Sequence, residues 1–79
     1  MSDQSISYSE AVAAELRAER ARKNITVARL VEASGISKSA VLHYLNGKRD
    51  IPMRALAELC QALAVKPSVI AARAEDAQG

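Results

Sequence analysis

Two short helix-forming runs, one opening at Thr26 and the other at Ser37, meet at Gly35, and this junction constrains the chain more than any other feature of its sequence. Thr26 and Ser37 are N-cap residue types, whose hydroxyl accepts a hydrogen bond from an amide in the first helical turn. Gly35 stands where a helix ends and the backbone must turn sharply. The run after Ser37 extends to about Leu45, where Asn46-Gly47 is a strong turn signal. Helices this short fall below the roughly 12 to 15 residues that hold together alone in water. The rest of the chain must therefore hold them.

That remainder reads as three further helices. Ser7-Tyr8-Ser9-Glu10 has the spacing of a capping box and opens a first helix from about Tyr8 to Lys23, with Val12 and Leu16 on its inner face and Asn24 at its end. In the second helix, Leu30 and Val31 point inward. Pro52 suits the first turn of a fourth helix, whose Leu56, Leu59, Cys60 and Leu63 recur at i, i+3, i+4 and i+7. Pro67 opens a short fifth helix through Val69 and Ile70. No strand-like alternation and no internal repeat is present. The expected architecture is all-α, five helices in one domain over 7–74, with a flexible N-terminus at 1–6 and a polar, frayed tail at 75–79.

At 79 residues, 49 % hydrophobic and 25 % charged, the composition is that of one globular domain. A chain of this length buries only about 60 % of its unfolded surface, which leaves little room for a deep catalytic cavity and favours a binding module over an enzyme. With one cysteine, Cys60, and one histidine, His43, neither a metal cluster nor a disulfide framework can be built, and no cofactor is expected. A reducing, cytoplasmic setting fits that cysteine usage. The first ten residues lack the basic start and apolar run of a signal peptide, and no segment approaches the roughly 20 apolar residues of a membrane span. Charge is unevenly spread. Between Arg20 and Arg54 eight basic residues face two acidic ones, a net of +6, whereas the remainder nets −4. A basic middle attracts phosphates by counterion release, although solvated cations on helices give the same pattern.

At roughly 100° per residue, Lys38, Ser39, Leu42, His43 and Asn46 share one face of the third helix, and Ala40, Val41 and Tyr44 share another. One side is built to bury; the other can hydrogen-bond. A rigid helix displayed on such a scaffold is what the DNA major groove admits. Lys38 can donate to guanine O6 and N7, and Ser39 and His43 can bond base edges or phosphates. Leu42 either meets a thymine methyl or marks a patch for a protein partner. His43 is alternatively a plain surface histidine, and Ser37-Lys38-Ser39 alternatively a cap with a solvated lysine. Phosphate contacts, which position without reading sequence, fall to Thr26, Arg29, Ser37, Asn46, Lys48 and Arg49. Tyr44 belongs to the buried face, and Cys60 to the apolar stripe of the fourth helix as an inert thiol.

These residues in this order resemble the Xre family of bacterial and phage regulators, of lambda repressor and Cro type. The resemblance runs from about Val12 to Ile70. It is carried by Leu16-Arg17 with Arg20, Leu30, Gly35-Ile36-Ser37-Lys38-Ser39, Val41, Asn46-Gly47-Lys48-Arg49, and Leu56 to Val65. It implies a helix-turn-helix whose third helix enters the major groove of a double-stranded DNA operator, usually as a homodimer and usually in a repressor. A dimer here would use the fifth helix, with Val69 and Ile70 as candidates. Three residues depart from the pattern. Val27 stands in place of a glutamine that touches a phosphate, and Val31 in place of an alanine at a tight helix crossing. Leu45 replaces a glutamate that pairs with an arginine at the position of Arg20, an ion pair that cannot form here. The rival reading is a protein-interaction module on the same scaffold, an antitoxin or antirepressor, supported by Leu42 and Val27. An enzyme ranks behind both, because no nucleophile, base and orienting group can be assembled.

Overall fold

Each helix start that the sequence marks with a hydroxyl is capped by that hydroxyl. The computed structural model describes residues 7–79; the expected flexible N-terminus at 1–6 lies outside them. Ser7 Oγ accepts the Glu10 amide at 3.0 Å and Glu10 Oε1 accepts the Ser7 amide at 3.0 Å, so the capping box closes and opens α1 (Tyr8–Arg22). Thr26 caps α2 (Val27–Ser34), its Oγ1 taking the Arg29 amide at 3.0 Å. Ser37 caps α3 (Lys38–Leu45) through the Ala40 amide at 3.2 Å. Pro52 is the N-cap of α4 (Met53–Ala62), one position earlier than the first helical turn that its sequence context predicts. Pro67 occupies the first turn of α5 (Pro67–Gln78).

That last helix differs from its sequence reading in two ways. It continues through Glu75, Asp76 and Ala77 to Gln78, where polarity alone predicts a frayed tail. Alanines at 71, 72, 74 and 77 are the strongest helix formers, and Ala74 is fully buried, which anchors the last turns. The second difference concerns the proposed dimer contact. Ile70 is 0 % exposed, packed inside the protomer's own core, so it is not available to a second copy; Val69 is half-buried.

Packing follows from which faces are apolar. α1 lies against α5 and α3, α2 against α3 and α4, and α4 against α5. Leu16, Leu30, Val41, Leu59, Cys60, Leu63 and Ile70 are fully buried at the centre, with Ile25, Val27, Val31, Ile36 and Leu56 packed around them. Burying each leucine contributes about 1.5 to 3 kcal/mol, which is what fixes helices too short to stand alone. Among the described residues no single helix is long and apolar enough to cross a membrane.

The connections between helices are tight because left-handed residues end them. Asn24, Gly47 and Ala64 each occupy the left-handed position of a Schellman turn, in which two amides fold back onto the final carbonyls of the helix. Gly35 closes α2 at φ 74°, with its amide on the Val31 carbonyl. A Cβ on Gly35 would meet nothing within 4 Å, so glycine serves here by its backbone freedom, not by its small size.

One buried charge ties the outer helices together. Glu19 on α1 is 4 % exposed and is the target of three cations: Arg22, Lys23 at 3.0 Å and Arg73 of α5 at 2.9 Å. The hydrogen bond from Lys23, then that from Arg73, holds the Glu19 carboxyl below its ordinary value of 4.5 against the opposing effect of burial. Lys23 Nζ also donates to the carbonyls of Leu63 at 2.6 Å and Ala64 at 3.0 Å, which fastens the end of α1 to the end of α4. Burial pushes the Cys60 thiol up, the thiol being an inert part of the core.

Two stability measurements follow from this geometry. Ala64 has φ 57°, where an L side chain pays about 1 to 2 kcal/mol. Ala64→Gly removes that strain, and after the larger chain entropy of glycine is subtracted the variant is expected to be about 0.5 to 1 kcal/mol more stable, raising the melting temperature by a few degrees. A lower melting temperature would show that the turn is unstrained. For Glu19, a folded-state pKa below the unfolded one means that its ionisation stabilises the fold above 4.5, and that this contribution is lost as pH falls through the lowered value. Glu19→Gln is therefore expected to unfold more readily than the parent at neutral pH. In denaturant titrations across pH, the difference should close in acid; a constant gap would rule out the ionic role.

Candidate nucleic-acid interface

The turn that sets α3 against α2 is three residues long, Gly35 to Ser37. Ser34 Oγ accepts the Ile36 amide at 3.2 Å, and Ile36 packs against the core, so the turn is pinned at its middle. α3 then presents two different sides. Val41, Tyr44 and Leu45 are buried and Ala40 is half-buried. Lys38, Ser39 and Leu42 are exposed, as is Asn46, the C-cap residue. The division into a buried and an open face matches the helical periodicity of the sequence.

His43 sits at the edge between the two sides. It is half-buried, and its Nδ1 is enclosed without a hydrogen-bond partner among the described residues. Neither a fully open reading residue nor the plain surface histidine of the alternative reading, it can offer a ligand the Nε2 edge only. An unprotonated Nδ1 is the cheaper orphan in that enclosure, which leaves Nε2–H as a donor.

The residues assigned to phosphates fall into three groups. Thr26 and Ser37 are already engaged as caps, but a hydroxyl that accepts an amide still has its own O–H to donate. The Val27 and Ala28 amides of α2 have no intrahelical acceptor and point out of the same helix end. Arg29 is exposed and pairs with Glu32 at 3.1 Å, an exposed i,i+3 contact of little energetic weight that nevertheless offsets its charge. Lys48 and Arg49 are exposed in the loop after Gly47. Among the described residues no carboxylate pairs with them, nor with Lys38 or Arg54. Asp50, next in the chain, instead accepts a hydrogen bond from Ser9 Oγ at 2.9 Å, which ties this loop to the start of α1.

The structure thus sorts the basic middle of the chain. Arg22 and Lys23 are spent on Glu19, and Arg20 Nη1 donates to the Ile25 carbonyl at 2.8 Å, with its Nε buried and unpartnered. The cations left open are those on α3, in the loop after it, and at the start of α4.

A family model described as a helix-turn-helix domain matches residues 11–72. The chain belongs to the helix-turn-helix domain family. Two crystal structures of the clp gene regulator ClgR from Corynebacterium glutamicum are similar to it, each 28 % identical, with TM-scores of 0.87 and 0.88. The alignments cover 94 % of this chain and 96 % and 79 % of the two ClgR chains. None of the curated protein sequences matches the chain. The Xre-type resemblance and the five-helix expectation are both borne out, and this helix-turn-helix domain is a DNA-binding one.

Sequence reasoning missed two side chains that hold the reading helix in place. Arg17 Nη1 of α1 donates to the Leu45 carbonyl, capping the C-terminal end of α3. Its neighbours there are Glu10, Ala14, Asn46 and Gly47. Nothing in the spacing of Arg17 marks it, because its partner is a backbone atom 28 residues away. Glu19 was half legible: Glu19, Arg22 and Lys23 have the i,i+3 and i,i+4 spacing of helical ion pairs, but Arg73 lies 54 residues on.

Proposed function

We propose that this helix-turn-helix domain reads a double-stranded DNA operator in the cytoplasm and acts as a transcriptional repressor, with α3 in the major groove. The observation that carries the reading is the open face of α3: Lys38, Ser39 and Leu42 exposed together, with unpaired cations at Lys48 and Arg49 directly after the helix. A helix fixed on its buried side and polar on its free side fits the groove, and flanking cations fit the phosphates on its walls. Gene regulation is also the role named for ClgR, to which most of this chain aligns.

In this reading Lys38, Ser39, Leu42 and His43 contact bases. Thr26, Arg29, Ser37, Asn46, Lys48 and Arg49 contact phosphates. A homodimer on a two-fold operator would place half-sites about 34 Å apart. Its interface would have to avoid Ile70.

The discriminating measurement is a gel shift on random DNA at low and moderate salt, followed by selection of a preferred site. Salt-sensitive binding and a recoverable consensus are expected; neither would be seen for a module that holds a protein partner instead. Lys38→Ala is expected to cost about 1 to 3 kcal/mol and to relax preference at one base pair. An equal loss on every sequence would remove Lys38 from the readers. Lys48→Ala should weaken binding evenly and lower the salt slope by about 1; an unchanged slope would mean that no phosphate contact was lost.

A further inference from the structure

Leu42 is the one large apolar side chain on the open face of α3, and its surroundings are inconsistent with a patch for a protein. It is 36 % exposed. Its helical neighbours at i−4, i−3 and i+4 are Lys38, Ser39 and Asn46, all exposed and all polar. The other large exposed apolar residues, Tyr8 and Met53, line a separate depression with Val12, Ile51 and Leu56, at the starts of α1 and α4. A lone apolar side chain ringed by polar ones needs an equally small apolar complement within a polar surface. The major groove offers one such group at base-pair edges, the C5 methyl of a pyrimidine. Unpaired Lys38, Lys48 and Arg49 nearby give the charge complementarity to DNA that an acidic-poor protein surface would lack.

We propose that Leu42 makes recognition depend on a pyrimidine C5 methyl group, so that the operator is read through that methyl as well as through hydrogen bonds. The methyl can come from thymine or from 5-methylcytosine. This proposal rests on the DNA-reading role of α3 argued above and specifies the chemistry at one position of its site. Helix geometry also places the methyl. Lys38 and Leu42 are four residues apart, roughly 6 Å along the helix axis, or about two base-pair steps, so the methyl lies within two base pairs of the purine that Lys38 contacts.

The test uses the full chain and a site selected from random DNA. Each thymine of that site is replaced in turn by deoxyuridine, which deletes the methyl and leaves every hydrogen bond intact. One position is expected to lose affinity by a factor of about four, the equivalent of ~0.8 kcal/mol for one buried methyl, with smaller changes elsewhere. Leu42→Ala should bind the thymine and deoxyuridine sites equally, and Leu42→Met, which retains an apolar contact, should keep part of the difference. Since Leu42 is exposed, both variants should match the parent in thermal melting. At the same position, 5-methylcytosine should bind more tightly than cytosine by a similar factor; thymine sensitivity without that gain would confine the contact to thymine. Equal binding of thymine and deoxyuridine sites at every position, or a discrimination that survives in Leu42→Ala, would overturn the methyl contact while leaving DNA reading in place. Absence of salt-sensitive DNA binding by the parent chain would overturn both.

Discussion

An eight-residue helix does not persist in water, because the cost of nucleating its first turn exceeds what so few propagated hydrogen bonds return. α3 exists because Val41, Tyr44 and Leu45 are buried against the rest of the molecule, and its orientation is whatever that burial dictates. The same condition applies to α2, also of eight residues and anchored by Leu30. Everything the open face can do depends on this: a reading helix must be held more firmly than the bonds it makes to bases, and here the firmness comes from α1 and α4. Arg17 on the Leu45 carbonyl adds a polar fastening where the helix ends and its last carbonyls lack partners.

The substitution at Leu45 shows how such a scaffold redistributes its charges. In the family pattern a glutamate at this position answers an arginine at that of Arg20. With leucine there, the side chain joins the core, and Arg20 turns to the Ile25 carbonyl. The orphaned Nε of Arg20 is what that exchange leaves behind. Ionic binding between helices has moved to the other side of α1, where Glu19 gathers Arg22, Lys23 and Arg73. One consequence is that a large share of the basic middle of the sequence never faces a phosphate.

The helices were legible in the sequence because their signals are local. Ser7, Thr26 and Ser37 cap within three residues of themselves, Gly35 and Asn46-Gly47 turn the chain where they stand, and the apolar periodicity of α4 needs no partner to be read. The open face of α3 was legible for the same reason. What escaped was non-local. Ile70 reads as an apolar residue on a short terminal helix, and only the packing of α5 on α1 turns it into core. The half-burial of His43 and the duties of Arg17 and Arg20 likewise depend on atoms contributed by other helices or by the backbone.

Val27 sharpens the division of labour between the two short helices. Where the family pattern has a glutamine reaching for a phosphate, Val27 packs against the core, and two residues on Arg29 is partly neutralised by Glu32. α2 therefore brings to a phosphate little beyond its free amides and the Thr26 hydroxyl, whose interactions fade within a turn of the helix end. The unpaired cations lie instead on α3 and in the loop that follows it. Binding energy and sequence reading are thereby concentrated on one element and its exit loop. Displacement of α3 by an ångström would then cost both at once, which is the physical reason for pinning its two ends so tightly, at Ser37 by its cap and at Leu45 by Arg17.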